Sequence, residues 1–171
     1  PPRSTLFPYT TLFRSIADFL AEDLPEGDKT TEGIITESVT ISAEFQAGEG
    51  LVFSGEKIIP HCFGENCQTT LNHNDGDYLL NGDVIGFVTG LAREILYRER
   101  VMLNLIQRLC GIAALTLEYA EIANPFNVKL LDTRKITPGL RLFEKYAVAV
   151  GGGYNHRDRK STRLNSSHVL I

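Results

Sequence analysis

Hydrophobic and polar positions follow two different periods along this chain. Between Val39 and Phe53, Val39, Ile41, Ala43 and Phe45 recur at every second position, so the spacing predicts a strand with one apolar face. Gly48 and Gly50 interrupt it as a turn, and a second short strand follows. In "HNDGDYLLNGDVIGFVTG" (73–90), the turn signals Asp75-Gly76 and Asn81-Gly82 flank short apolar runs, which predicts a hairpin or a β-sandwich corner. The period then changes. Ile95, Met102, Leu105, Ile106, Leu109 and Ile112 fall at helical spacing, and Gly111 predicts a kink or break between a long helix and a shorter one. Upstream, Ile16, Phe19 and Leu20 mark the end of a short helix, and 24–31, with Pro25 and Gly27, reads as a loop.

Beyond Asn124-Pro125, where the residue before proline disfavours helix, 127–133 reads as an aliphatic strand. Thr137 is a candidate N-cap with Pro138 in the first helical position, and Leu140, Phe143, Ala147 and Val150 continue at helical spacing. Gly151 suits the position just past the helix end, with 154–157 as the approach to a next strand. Strand, loop, helix, turn and strand is the unit from which parallel sheets and α/β barrels are built.

Charge sharpens this reading. The 171 residues carry a net charge of −4, but residues 1–15 and 158–171 lack helical or strand periodicity and resemble translated sequencing-adapter read-through. Setting both aside as non-native flanks leaves 16–157 with twelve Lys plus Arg against twenty Asp plus Glu. An acidic body argues against nucleic acid as the main partner and makes any local cationic cluster more telling. No uninterrupted apolar run approaches the ~20 residues of a membrane span, and no secretory pattern opens the chain, so a cytoplasmic protein without a membrane partner is expected. Cys62, Cys67 and Cys110 make an odd number without dense spacing, which fits reduced thiols. His61, Cys62, Cys67 and His73 match no standard zinc spacing, so no metal site is assigned to them.

The cationic cluster lies at the end of the 127–133 strand. Thr133, Arg134 and Lys135 follow it directly, where α/β barrels carry ligands, and His156 and Arg157 come after the next turn. If 154–157 is the adjacent strand, both clusters share one mouth. Arginine forks and a lysine point charge there suit a small molecule with two or more anionic groups. The plainer alternative is a surface ion-pair network, Arg134 and Lys135 pairing with Asp132 and Glu144. Arg98 and Arg108, on the long helix, read as solvated or paired with neighbours such as Glu94 and Glu99. A biotinyl- or lipoyl-carrier hairpin would fit 73–90, but no lysine lies between Lys57 and Lys129.

"ERVMLNLIQRLCGIA" (99–113), "LLDTRKITPGLRLFEKYAV" (130–148) and "GGGYNHR" (151–157) resemble the signature segments of quinolinate phosphoribosyltransferases. "EDLPEGDKTT" (22–31) and "DGDYLLNGDVIGFVTGLAREIL" (75–96) resemble the same family in the same order. Cys110 stands where serine is more usual, and 44–70 matches weakly. The resemblance implies an α+β N-terminal sandwich domain (16–97) followed by the start of an open α/β barrel (98–157), truncated. It implies a pentosyltransferase that joins quinolinate to phosphoribosyl pyrophosphate with decarboxylation, giving nicotinate mononucleotide, pyrophosphate and CO2 in NAD biosynthesis. Thr133, Arg134, Lys135, His156 and Arg157 would bind substrate, and Arg100 would reach the partner's site in a homodimer. Mg2+ would be held by ligands in a missing C-terminal part, and this polypeptide alone is expected to fold poorly and be inactive. Two alternatives are a molybdenum-associated phosphoribosyltransferase-like protein and a non-catalytic carrier-like binding module; Asp132, "TPGLR" and Asn155 favour the quinolinate family.

Overall fold

A computed structural model of the chain describes residues 9–156, with side chains from Arg14 onward. The first helix, α1 (Tyr9–Asp23), begins within the stretch set aside as a patternless flank. Ile16 and Leu20 are buried and anchor it, and once a helix is nucleated each added residue extends it at little cost. The expected loop at 24–31 also gives way to a short helix, α2 (Lys29–Ile34), because Asp28 caps it by accepting from Thr31 N at 3.0 Å.

Two small sheets follow. β1 (Thr40–Gln46) and β3 (Cys67–Leu71) flank β5 (Val84–Leu91), all antiparallel, while β2 (Leu51–Val52) pairs with β4 (Tyr78–Leu79). The predicted alternation holds: along β1, Phe45 is buried and Ile41 and Ala43 are half-buried, with exposed residues between them. Of the two readings of 73–90, the corner is what forms. β4 and β5 belong to different sheets, and Gly82, at φ +90°, turns the chain between them. A four-residue helix, α3 (Ile59–Cys62), closes the layer, and Phe53, Ile58, Ile59, Leu79 and Val88 form its core with exposures of 1% or less.

α4 (Ala92–Ala123) is 32 residues long, about 48 Å at 1.5 Å per residue. No break occurs at Gly111. That glycine sits on the exposed side, while Leu109, Cys110 and Ala113 around it are buried, so packing on the other face holds the helix straight through it. An 18-residue window in Ala92–Phe126 reaches a mean hydropathy of 1.3, enough by composition for a membrane span. Only part of that apolar surface is buried: Ile95, Met102, Leu105, Ile106 and Leu109 pack in the core, while Leu103, Leu115 and Ile122 are exposed, and α4 is the central helix that β2, β5, α1, α3 and α5 contact. A 3-10 turn (Asn124–Phe126) and Asn127, at φ 55°, then end it, as the Asn124-Pro125 pair predicts.

The last unit differs from its sequence expectation at both ends of its helix. α5 spans Arg141–Val150 and is not capped by Thr137. Instead Leu140 N donates to Thr137 O at 3.1 Å, and Gly139 lies at φ +82°, so Thr137–Leu140 is a Pro-Gly turn that the helix can only follow. At the far end the left-handed residue is Gly152, one later than expected, at φ +87°. Gly152 N reaches Ala149 O at 3.2 Å and Gly153 N reaches Val148 O at 2.9 Å, the paired bonds of a Schellman motif. Gly151 is required for a separate reason: a Cβ there would lie 2.4 Å from Ala113 O, so it lets α5 close on α4. The strands expected at 127–133 and 154–157 are reduced to one parallel bridge, Leu131 to Tyr154, among the described residues.

Candidate functional site

That bridge sets the site. Tyr154 N donates to Leu130 O at 2.8 Å and Asp132 N donates to Tyr154 O at 2.9 Å, so the ends of the two segments lie side by side. Asp132, its side chain 7% exposed, then accepts from the backbone N–H of His156 and pairs with Lys145 of α5. With its amide nitrogen turned toward its acceptors, Asn155 donates to Asp132 Oδ2 at 3.0 Å and to Lys145 O at 3.2 Å. One buried carboxylate therefore ties the first polar cluster to the second.

A second carboxylate fixes the loop between them. Glu144 Oε1 accepts from Arg108 Nη2 at 2.6 Å and Nε at 3.2 Å, and its Oε2 accepts from Thr137 N at 3.1 Å. Arg108 Nη2 also donates to Thr137 Oγ1 at 2.6 Å. Burial alone would raise the Glu144 carboxyl, but the hydrogen bonds from Arg108 and Thr137 outweigh it and hold it below its ordinary value. The helix arginine taken from sequence as solvated is thus the clamp that joins α4 to the Thr137 turn.

Between these two pairs lies an open cleft of about 500 Å3, within the range of small-molecule sites. Its polar wall is Arg108, Asp132, Thr133, Lys135, Glu144 and Lys145. Lys135 N donates to Thr133 Oγ1 at 3.1 Å, which bends the loop so that both residues line the cleft. Of the residues singled out from sequence, Thr133 and Lys135 stand in the wall. Arg134 is exposed beside it without lining it, and His156 is half-buried and joined through Asp132. The His156 Nδ1 is buried without a hydrogen-bond partner among the described residues. Arg157 lies outside the described residues. Arg100 is elsewhere, 65% exposed on α4 and 3.4 Å from Asp23; it lies eight residues, about 12 Å of helix rise, before Arg108.

The surface-network alternative is corrected here. Asp132 and Glu144, its proposed partners for Arg134 and Lys135, are taken by Lys145 and Arg108. Arg134 and Lys135 make no ion pair among the described residues. Lys145, Arg108 and the pairing duty of Asp132 escaped sequence reading because the partners stand 13 and 36 residues apart. No group of three or more His, Cys, Asp or Glu side chains able to hold a metal occurs among the described residues.

An α+β layer joined by a long helix to the opening of an α/β unit, with a loop carrying Arg134 and Lys135 at that opening, defines the class. Residues 28–110 match the family described as quinolinate phosphoribosyl transferase, N-terminal domain, and residues 112–165 match its C-terminal domain. The chain belongs to the quinolinate phosphoribosyltransferase family. It is 47% identical over 142 residues to a protein named probable carboxylating nicotinate-nucleotide pyrophosphorylase in Bacillus subtilis, covering 81% of this chain and 49% of that one. A chloroplastic enzyme of the same name in Arabidopsis thaliana is 41% identical over 143 residues, covering 81% and 40%. Among solved structures, the nicotinate-nucleotide pyrophosphorylase of Francisella tularensis superposes with a TM-score of 0.80 at 34% identity, over 88% of this chain and 55% of that one. NadC from Streptococcus pyogenes gives 0.80 at 37% identity, over 88% and 54%. The chain thus spans about half the length of the relatives it matches. The family match also displaces the carrier-module and molybdenum-associated alternatives, and no β4–β5 hairpin exists to present a carrier lysine.

Proposed function

We propose that the cleft beside Thr133–Lys135 binds quinolinate, and that the whole protein transfers a phosphoribosyl group from phosphoribosyl pyrophosphate to it. One observation supports this reading: the two carboxylates nearest the loop are already paired, which leaves Arg134 and Lys135 as cations facing solvent with no ion-pair partner among the described residues. Quinolinate carries two adjacent carboxylates whose mutual repulsion needs fixed cations to offset it, and a guanidinium fork with an ammonium supplies them. Thr133 adds a hydroxyl in the wall, and on the family resemblance His156 and Arg157 would complete the quinolinate pocket.

Chemistry follows from positioning. Pyrophosphate leaves the sugar carbon as positive charge grows there, and the pyridine nitrogen must already be held in line to form the new bond. When the carboxylate next to that nitrogen leaves as CO2, its bonding electrons remain on the ring carbon, and fixed cations nearby stabilise that charge before a proton arrives. The products are nicotinate mononucleotide, pyrophosphate and CO2. In the homodimer reading, Arg100 reaches a partner's cleft; among the described residues its exposed guanidinium makes one long contact, to Asp23, beside a coulombic interaction with Asp28, which leaves donors available. Mg2+ ligands would stand outside the described residues. A cytoplasmic location belongs to the same reading, beside relatives whose names include chloroplastic and mitochondrial forms.

Isothermal titration tests the binding half directly. Quinolinate should bind the whole protein, and Arg134→Ala should weaken it by about 10- to 100-fold, the equivalent of about 1.4–2.8 kcal/mol. Equal affinity in the variant, or no binding by the unaltered whole protein, would sink the assignment.

A further inference from the structure

Asp132 presents a difficulty for any anion site: it is a carboxylate in the cleft wall, immediately before the loop that must attract anions. By charge alone it opposes binding. We propose that Asp132 is a positioning residue that holds the His156 segment against the Thr133–Lys135 loop. This rests on the anion-site reading above and adds to it a residue that touches no substrate.

Three groups converge on its carboxylate, from two parts of the unit. His156 N–H comes from the segment after the Gly turn, the Asn155 amide from the same segment, and the Lys145 ammonium from α5. Apart from the short ladder at Leu130–Asp132 and Tyr154 and the Asn155 amide bond to Lys145 O, these are the bonds that fix residues 155 and 156 to the rest of the unit among the described residues. The side chain is nearly buried, so these bonds are shielded from water and hold one geometry. Lys145 has a second effect. Its charge neutralises Asp132 in place, so the carboxylate positions without repelling the ligand. Lys145 is itself occupied, and the cations left to the ligand are Arg134 and Lys135.

Asp132→Asn separates positioning from electrostatics by sign. Removing a negative charge and freeing Lys145 should tighten binding of a dianion if charge were all that mattered. Positioning predicts the reverse: asparagine Oδ1 can still accept from His156 N–H, but its NH2 replaces Oδ2, faces the Lys145 and Asn155 donors and loosens the segment from α5. The expected result is quinolinate affinity weakened by about 10-fold or more, with the thermal midpoint of the chain changed little by comparison. Lys145→Met should also weaken quinolinate binding, by exposing an unpaired carboxylate, while leaving the His156 amide held. A substrate-independent readout accompanies these: in the unaltered chain, the His156 backbone amide should exchange with solvent far more slowly than that of exposed Arg134, and Asp132→Ala, which removes both carboxylate oxygens, should abolish that protection. Tighter binding in Asp132→Asn, or an unprotected His156 amide in the unaltered chain, would overturn the proposal. Should the unaltered whole protein fail to bind quinolinate, the functional reading fails on its own, and the amide measurement still decides whether Asp132 holds this segment.

Discussion

The layer built from residues 40–91 and the unit built from 130–156 are stabilised by different physics. In the layer, β5 is paired on both edges and Phe53, Ile58, Leu79 and Val88 are sealed from water. In the later unit a single parallel bridge leaves Leu131 and Tyr154 about half exposed, and the geometry depends on two buried or half-buried carboxylates, Asp132 and Glu144. Packing is tolerant in direction and large in sum, whereas a carboxylate network is directional and fails when one member is lost. The first region can therefore serve as a foundation, and the second can aim side chains. Between them lies one point of contact with both characters. Tyr146 of α5, 5% exposed, donates its hydroxyl to Asp75, and Asp75 Oδ1 also accepts from Gly55 N at 2.9 Å and Glu56 N at 3.0 Å.

The largest way to break the contrast is to empty the layer. Phe53→Ala removes a side chain with no exposed area and should cost about 3–5 kcal/mol, read as a shift in a denaturant midpoint. The His156 amide should keep its protection until the whole chain unfolds. Next in size is a failure of the directional kind. Glu144→Ala leaves Thr137 N and the Arg108 guanidinium without their acceptor, and should cost about 1.5–3 kcal/mol. Its signature is local: amide exchange should quicken at Thr137 and through the Pro-Gly turn while β1 and β5 stay protected. Uniform loss across both regions would show that the two are not separable. A smaller effect belongs to Gly152→Ala, which forces an alanine to φ +87° at about 1–2 kcal/mol.

The same contrast explains which features the sequence disclosed. Alternation in β1 and the helical face of α4 were legible because both are local periodicities imposed by burial on one side. Gly111 misled because the intrinsic penalty of a glycine, about 1 kcal/mol, is smaller than the packing that α4 gains on its buried face. Thr137 misled because a cap signal and a Pro-Gly turn signal overlap there, and Gly139 at positive φ decides for the turn. In the candidate site, Thr133, Arg134 and Lys135 stood out as a polar cluster after an aliphatic run. Their supporting pairs did not, since Arg108–Glu144 and Lys145–Asp132 join residues that only the tertiary fold brings together. Sequence showed the charges available to a ligand and concealed which were already neutralised.

The smallest effects, and the sharpest, come from pH, because α5 carries one titrating link to each region two residues apart. Glu144 has a carboxyl held below its ordinary value by Arg108 and Thr137 despite its burial. A depressed carboxyl contributes stability that is present above the unfolded pKa, ~4.3, and is lost as pH falls through the lower folded value. Tyr146 is shifted the other way: burial first, then the Asp75 charge, raises its hydroxyl far above the ordinary value. Its neutral form is the one the fold favours, so its contribution is complete below ~10 and declines as pH rises beyond that. Acid should thus loosen the Thr137 side of α5, and alkali the side that meets Gly55 and Glu56. Cys110 and Cys62, raised by burial to about 11 and about 12, add their own alkaline loss, so Tyr146→Phe is needed to isolate the tyrosine. Amide exchange at Thr137 near pH 3 and at Gly55 near pH 10.5, each against pH 7, checks both signs. If Gly55 loosens equally at high pH in Tyr146→Phe, the alkaline effect belongs to the thiols, and the link between the layer and the site is one of packing rather than of the Tyr146–Asp75 bond.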